Sequence, residues 1–252
     1  MHLQLIRNAT LRLSYAGRTI LIDPDLAAKH SRPSFTGRSP NPMVDLPLAA
    51  AEVVAGIDLV IVSHLHRDHF DAVELIPVAL PLLCQPGDEA RIAERGFTQV
   101  TPLTDALDWG GIRLTRTAGQ HGAGAVGRTM GAVAGFVFAA AAEPTIYWAG
   151  DTILYDEIYA AIDRHRPDIV ITHACGARWP DDGGERQLIV MDATQTVAVA
   201  QAAPASIVVA THMEALDHAT ISRAELRAAA DAAGIPATRL LIPADGELLS
   251  FE

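Results

Sequence analysis

The chain of 252 residues contains only two cysteines, Cys84 and Cys175. One pair is no disulfide framework, so the cysteine content gives no sign of an oxidising compartment. Cys84 closes the apolar run Leu80-Pro-Leu-Leu-Cys84 and reads as a small buried hydrophobe, while Cys175 reads as a plain free thiol in a loop. No uncharged apolar stretch of 18 residues occurs, and residues 1–7 lack the long apolar segment of a signal peptide. A reduced, cytoplasmic protein is expected. Basic residues are also scarce, 19 against 30 acidic ones, for a net charge of −11. That balance argues against nucleic acid, which wants a basic face, and against an anionic membrane surface. A G-x-S-x-G nucleophile elbow is absent, which argues against covalent acyl transfer. Half the residues are hydrophobic and 19% are charged, which excludes wholesale disorder.

What the chain does have is His64-Leu65-His66-Arg67-Asp68-His69, directly after the apolar residues 58–62. Three imidazoles and a carboxylate in six residues suit Zn, Mn, Fe or Ni. Chance supplies H-x-H-x-D-H about once in a thousand chains of this composition, so the run is read as a metal site. In an extended segment His64 and His66 point the same way and reach one ion, whereas Asp68 and His69 follow a turn and serve another. A closed structural site would call for four ligands on one ion, often with Cys; no Cys is near, which favours an open catalytic site.

Further ligands are expected at the ends of distant apolar strands. His121 follows the strand-like residues 112–117 and sits among Gly119, Gly122 and Gly124. Asp151 lies in Gly150-Asp151-Thr152 after residues 145–150, and His212 follows residues 206–211. With Leu21-Ile22-Asp23-Pro24, the hexapeptide, Gln120-His121-Gly122, Gly150-Asp151-Thr152 and Thr211-His212, the chain resembles the metallo-β-lactamase superfamily over nearly all its length. Within that superfamily it looks most like the bacterial group of L-ascorbate-6-phosphate lactonase-like metal-dependent hydrolases. The resemblance implies that His64, His66 and His121 hold a first ion, that Asp68, His69 and His212 hold a second, and that Asp151 bridges them. It implies two divalent ions per chain, Zn or Mn, with Fe also compatible. The expected reaction is attack by a shared hydroxide on a small anionic ester or lactone, with Asp68 orienting the nucleophile. A phosphodiesterase, and an iron-containing redox or sensing protein, are the alternatives.

Residues 1–252 read as one α/β domain, a four-layer αβ/βα sandwich of two facing mixed sheets with helices outside. Strands are expected at 3–6, 10–14, 19–22, 59–62, 169–172, 206–210 and 247–251, and residues 131–142 read as a strand of small residues. Helices are expected at 48–55, 86–95, 155–164, 193–202 and 222–233, the last opened by a Ser222/Glu225 capping box. Two long loops are expected to choose the substrate. Residues 27–47 read as a lid whose Arg32 and Arg38 clamp an anion, and residues 173–187 carry Arg178 beside it. His173 is placed as a pocket acid or base or as a hydrogen-bond partner behind a ligand, and Asp23 as a residue that fixes a ligand histidine or caps the following turn. Glu214 and His218, four apart, are placed behind His212 or against the substrate. The partner is a small molecule, and a homo-oligomer is compatible with the sequence.

Overall fold

Runs of β-branched and aliphatic residues, broken by turn residues, set the strands. The computed structural model describes residues 1–251. In it, β1 (His2–Arg7), β2 (Thr10–Tyr15) and β3 (Arg18–Ile22) form an antiparallel meander. Ala16 and Gly17, with φ of 50° and 72°, make the tight turn between the last two. β4 (Leu59–Val62), β5 (Leu82–Cys84) and β6 (Val100–Pro102) continue the sheet in parallel. Every residue of β4 and β5 is buried. These strands are covered on both faces, and so read as unbroken apolar runs rather than alternating ones.

The second sheet begins antiparallel with β7 (Ala106–Trp109), β8 (Ile112–Ala118), β9 (Ala134–Ala139) and β10 (Ile146–Trp148). β11 (Ile169–His173) then joins β10 in parallel. A two-stranded hairpin, β12 (Arg178–Pro180) and β13 (Arg186–Leu188), stands apart from both sheets. β14 (Ile207–Thr211) and β15 (Leu240–Leu241) complete the second sheet in parallel, and β16 (Leu248–Ser250) returns to pair with β1.

The sheets meet face to face across one core in which Leu5, Leu13, Ile22 and Ile61 pack against Leu114, Phe136, Trp148 and Ile171. Helices α1 (Ala50–Val53) and α2 (Glu89–Ala93) cover the first sheet through Val53 and Ile92. Helix α3 (Gly124–Met130) packs beside the site. Helices α4 (Asp156–His165), α5 (Ala193–Ala202) and α6 (Arg223–Ala232) cover the second sheet. The architecture is the four-layer αβ/βα sandwich of the metallo-β-lactamase fold. At the start of α6, Ser222 Oγ accepts from Glu225 N at 3.2 Å while the Glu225 carboxylate accepts from Ser222 N at 2.8 Å, the reciprocal cap expected there.

Several elements differ from expectation. The 86–95 helix shrinks to a single turn or so, and the 173–187 loop contains the β12–β13 hairpin. Helix α3 gives no helical signal because two of its seven residues are glycines, each costing about 1 kcal/mol relative to alanine. Gly127 is required there, since a Cβ would collide with the Gly122 carbonyl. Among the described residues no helix is long and apolar enough to cross a membrane.

Candidate metal centre

The parallel strands point their C-terminal ends to one edge, the place where open α/β sheets bind ligands. Asp23 follows β3, His64 follows β4, Asp151 follows β10, His173 ends β11 and His212 follows β14. His121 follows β8. The turns are sharp. Asp23 and His212 adopt left-handed backbone with φ of 47° and 59°, a strain on the order of 1–3 kcal/mol at each. Gly150, at φ 70°, lets the chain pass the Ala134 carbonyl, which a Cβ would approach to 2.9 Å.

His64, His66 and His121 converge with their ligand atoms within 4.8 Å of one another, and His69, Asp151, His173 and His212 form a second such group. Asp151 lies between them. Its Oδ2 is 3.2 Å from His69 Nε2, 3.4 Å from His121 Nε2 and 4.0 Å from His64 Nε2, while Oδ1 is 3.7 Å from His212 Nε2. Asp68 Oδ2 stands 3.3 Å from His212 Nε2 and 3.6 Å from His69 Nε2.

The outer sides of three of these rings are tied to oxygen. His69 Nδ1 lies 2.7 Å from Asp23 Oδ2, and Asp23 also accepts from Ser63 N and Ser63 Oγ at 2.7 Å each. His64 Nδ1 is 2.9 Å from Ser63 Oγ, and His121 Nδ1 is 2.8 Å from the Ile189 carbonyl. These bonds aim the Nε2 atoms inward, where those of His64 and His69 are buried with no hydrogen-bond partner; both ring nitrogens of His212 are likewise buried and bare. Bare buried nitrogens beside carboxylates are costly unless a cation completes them, so the donor set fits divalent metal.

The charges agree. Burial pushes the Asp68 and Asp151 carboxyls up, but the surrounding imidazoles, His69 first, hold both well below the usual carboxylate range. Burial lowers His64 and His121, leaving the neutral imidazole that ligates metal. Burial opposes protonation of His69 too, yet Asp151, Asp68 and Asp23 outweigh it and push that ring up to about 10. Left without a cation, the three carboxylates therefore draw a proton onto a ring that a metal would otherwise occupy. Replacing Asp23 with alanine is expected to weaken metal binding about 10–100-fold. Competition with a chromophoric chelator measures this, and an unchanged affinity would count against the support given to His69.

The other residues expected at the site are divided by the structure. His173 is buried beneath Asp151, with Nδ1 2.6 Å from Asp151 Oδ1, and it orients that carboxylate instead of facing the cavity. Glu214 turns away to Arg223, at 2.6 Å. Arg32 is not a clamp: buried, it grips Asp25 Oδ2 at 2.6 Å and Asp25 Oδ1 at 3.1 Å, reaches Asp71 Oδ2 at 3.2 Å, and donates to the carbonyl of Arg67. Arg38 and Arg178 are exposed and lie outside the cavity wall, Arg178 4.0 Å from Asp192. The 27–47 loop is pinned rather than free, because Asp217 accepts from Phe35 N, Thr36 N, Thr36 Oγ1 and Asn41 Nδ2 at 2.7–3.0 Å.

Above the metal cluster opens a cavity of about 280 Å³. His66, Asp68, His121, Asp151 and His218 form its polar floor and side. Phe35, Leu65, Met130, Trp179 and Ile189 form the rest, with Arg67 the one basic residue in the wall. The apolar wall went unread in the sequence; a phenylalanine and a tryptophan set in otherwise polar, glycine- and proline-rich loops were the available signal.

Residues 18–213 match the family model of the beta-lactamase superfamily domain. The chain therefore belongs to that superfamily and is a metal-dependent hydrolase of the metallo-β-lactamase fold. It is 36% identical to the UPF0173 protein YddR of Bacillus subtilis (strain 168) over the full length of both. A possible metal-dependent hydrolase from Veillonella parvula DSM 2008 superposes with a TM-score of 0.93 at 32% identity, covering 100% of this chain and 99% of the other. An isothiocyanate hydrolase from Delia radicum gut bacteria gives 0.92 at 36% identity with the same coverage.

Proposed function

We propose that the chain hydrolyses a small, neutral and largely apolar electrophile of the isothiocyanate class with the help of two divalent ions. The observation that carries this reading is the wall of the cavity. Five apolar side chains face one arginine, and Arg67 is largely exposed and lies 3.3 Å from Asp71. An anionic ester or lactone would leave its charge against apolar surface, since Arg32, Arg38 and Arg178 lie elsewhere. The similarity to an isothiocyanate hydrolase supports the same substrate class.

In this reading His64, His66 and His121 would hold one ion, Asp68, His69 and His212 would hold the other, and Asp151 would serve both. Imidazole and carboxylate donors accept Zn, Mn or Fe. Such ions supply Lewis acidity that brings the pKa of water from 15.7 to about 7 and polarises a carbon–heteroatom bond. Asp68, which lines the cavity, accepts a hydrogen bond from the attacking water and orients it. Leu65, Met130 and Ile189 seat the apolar substituent and keep bulk water out. The water oxygen bonds to the central carbon of R–N=C=S, the C=N π pair moves to nitrogen, and nitrogen takes a water proton. Cleavage of the C–N bond in the resulting thiocarbamic acid, with proton transfer to nitrogen, releases R–NH2 and carbonyl sulfide.

A panel of neutral alkyl isothiocyanates, carboxylate-bearing analogues, anionic lactones and phosphodiesters tests this. Leaving a charge unpaired on such a wall costs about 3 kcal/mol, so neutral isothiocyanates should be preferred about 100-fold in kcat/KM. A preference of that size for the anionic members would overturn the reading.

A further inference from the structure

His218 lines the cavity beside Asp68 and Asp151 but lies outside the clusters that could hold metal. Its position is unusually well fixed for a loop residue. The preceding Asp217 is locked by the Ser34 hydroxyl, by the backbone amides of Phe35 and Thr36 and by the Thr36 and Asn41 side chains, and its own N–H donates to Asn41 Oδ1 at 2.9 Å. The imidazole is packed edge-on between Phe35, 5.1 Å between ring centroids, and His212, 6.1 Å. Only 8% of the residue is exposed, and Nδ1 is buried with no hydrogen-bond partner among the described residues. A protein rarely holds a buried ring nitrogen bare, at a cost on the order of 1–3 kcal/mol, unless something transient completes it.

We propose that His218 is a further catalytic residue, whose ring N–H donates a hydrogen bond to the substrate heteroatom on which negative charge collects as water adds. The groups facing it are Asp68, Asp151, Asp217 and His212. A donor fixed in the cavity wall stabilises developing charge without reorganising, and loss of one such donor typically costs 10²–10³ in kcat. The role rests on the hydrolytic function proposed above.

The test compares metal-loaded wild type with H218F, which keeps an aromatic ring against Phe35, and H218Q, which restores an N–H donor. Each is assayed on a neutral alkyl isothiocyanate and on a neutral aryl ester, with metal content measured alongside. H218F should lose about 100-fold or more in kcat with KM within about threefold and full metal, and H218Q should recover roughly tenfold. An H218F enzyme within threefold of wild type, an H218Q enzyme no faster than H218F, or loss of metal from H218F would each overturn the role. Wild-type turnover of the ester alone would sink the substrate class while leaving His218 to be judged on that ester.

Discussion

Asp151→Ala is expected to lower the hydrolytic rate constant by about 10³ or more and to release metal that wild type retains through the same dialysis. Asp151 reaches both histidine groups. Asp151 stands 3.2 Å from His69, 3.4 Å from His121 and 3.7 Å from His212, and receives His173 from behind at 2.6 Å. Removing it leaves the buried imidazoles of the two groups facing one another without the carboxylate that lies between them. Lewis-acid stabilisation is worth several kilocalories per mole, and about 4 kcal/mol corresponds to a factor of about 10³ in rate. Steady-state kinetics with elemental analysis of the same samples check both parts. Full turnover with a full complement of metal would remove Asp151 from the centre of the site.

Arg32→Ala is expected to act on stability, lowering it by about 3–5 kcal/mol, because breaking a buried pair strands its partner. The stranded partner is Asp25, itself fully buried and left with Arg7 at 3.6 Å. For a chain of this size the loss corresponds to a fall of roughly 6–20 °C in Tm. Since Arg32 also holds the carbonyl of Arg67, between His66 and Asp68, part of the metal affinity should go with it. Neutral and anionic substrates should be affected alike. An unchanged Tm together with a KM raised only for anions would restore the clamp expected from the sequence.

Arg32 shows where reading the sequence stops. Charge and loop context are visible in the residues 27–47, but direction is not. Asp25 lies seven residues from Arg32 and Asp71 lies 39 away, and nothing local says that the guanidinium turns inward toward both. The same holds for Asp217, whose partners Ser34, Phe35, Thr36 and Asn41 lie more than 170 residues earlier. The hexapeptide was legible for the opposite reason, since its donors are packed into six consecutive positions with strand-to-turn spacing. His121, Asp151 and His212 were legible because each closes an apolar strand, and the fold brings those strand ends to one edge. Short or glycine-bearing elements such as β5 and α3 lacked a periodic signal long enough to register. The apolar wall of the cavity was hidden because its members come from separate loops and share no period.

The two sheets are also two nearly contiguous stretches of chain. Strands β1 to β6 lie within residues 2–102, and β7 to β15 within residues 106–241. The hexapeptide belongs to the first stretch, whereas His121, Asp151 and His212 belong to the second. An ion held through Asp151 as proposed above would rivet two halves of the polypeptide, and its binding energy would add to the association of those halves by mass action. Loading and cohesion would then be one equilibrium: withholding the ion would loosen the seam between the sheets as well as silence the chemistry at its rim.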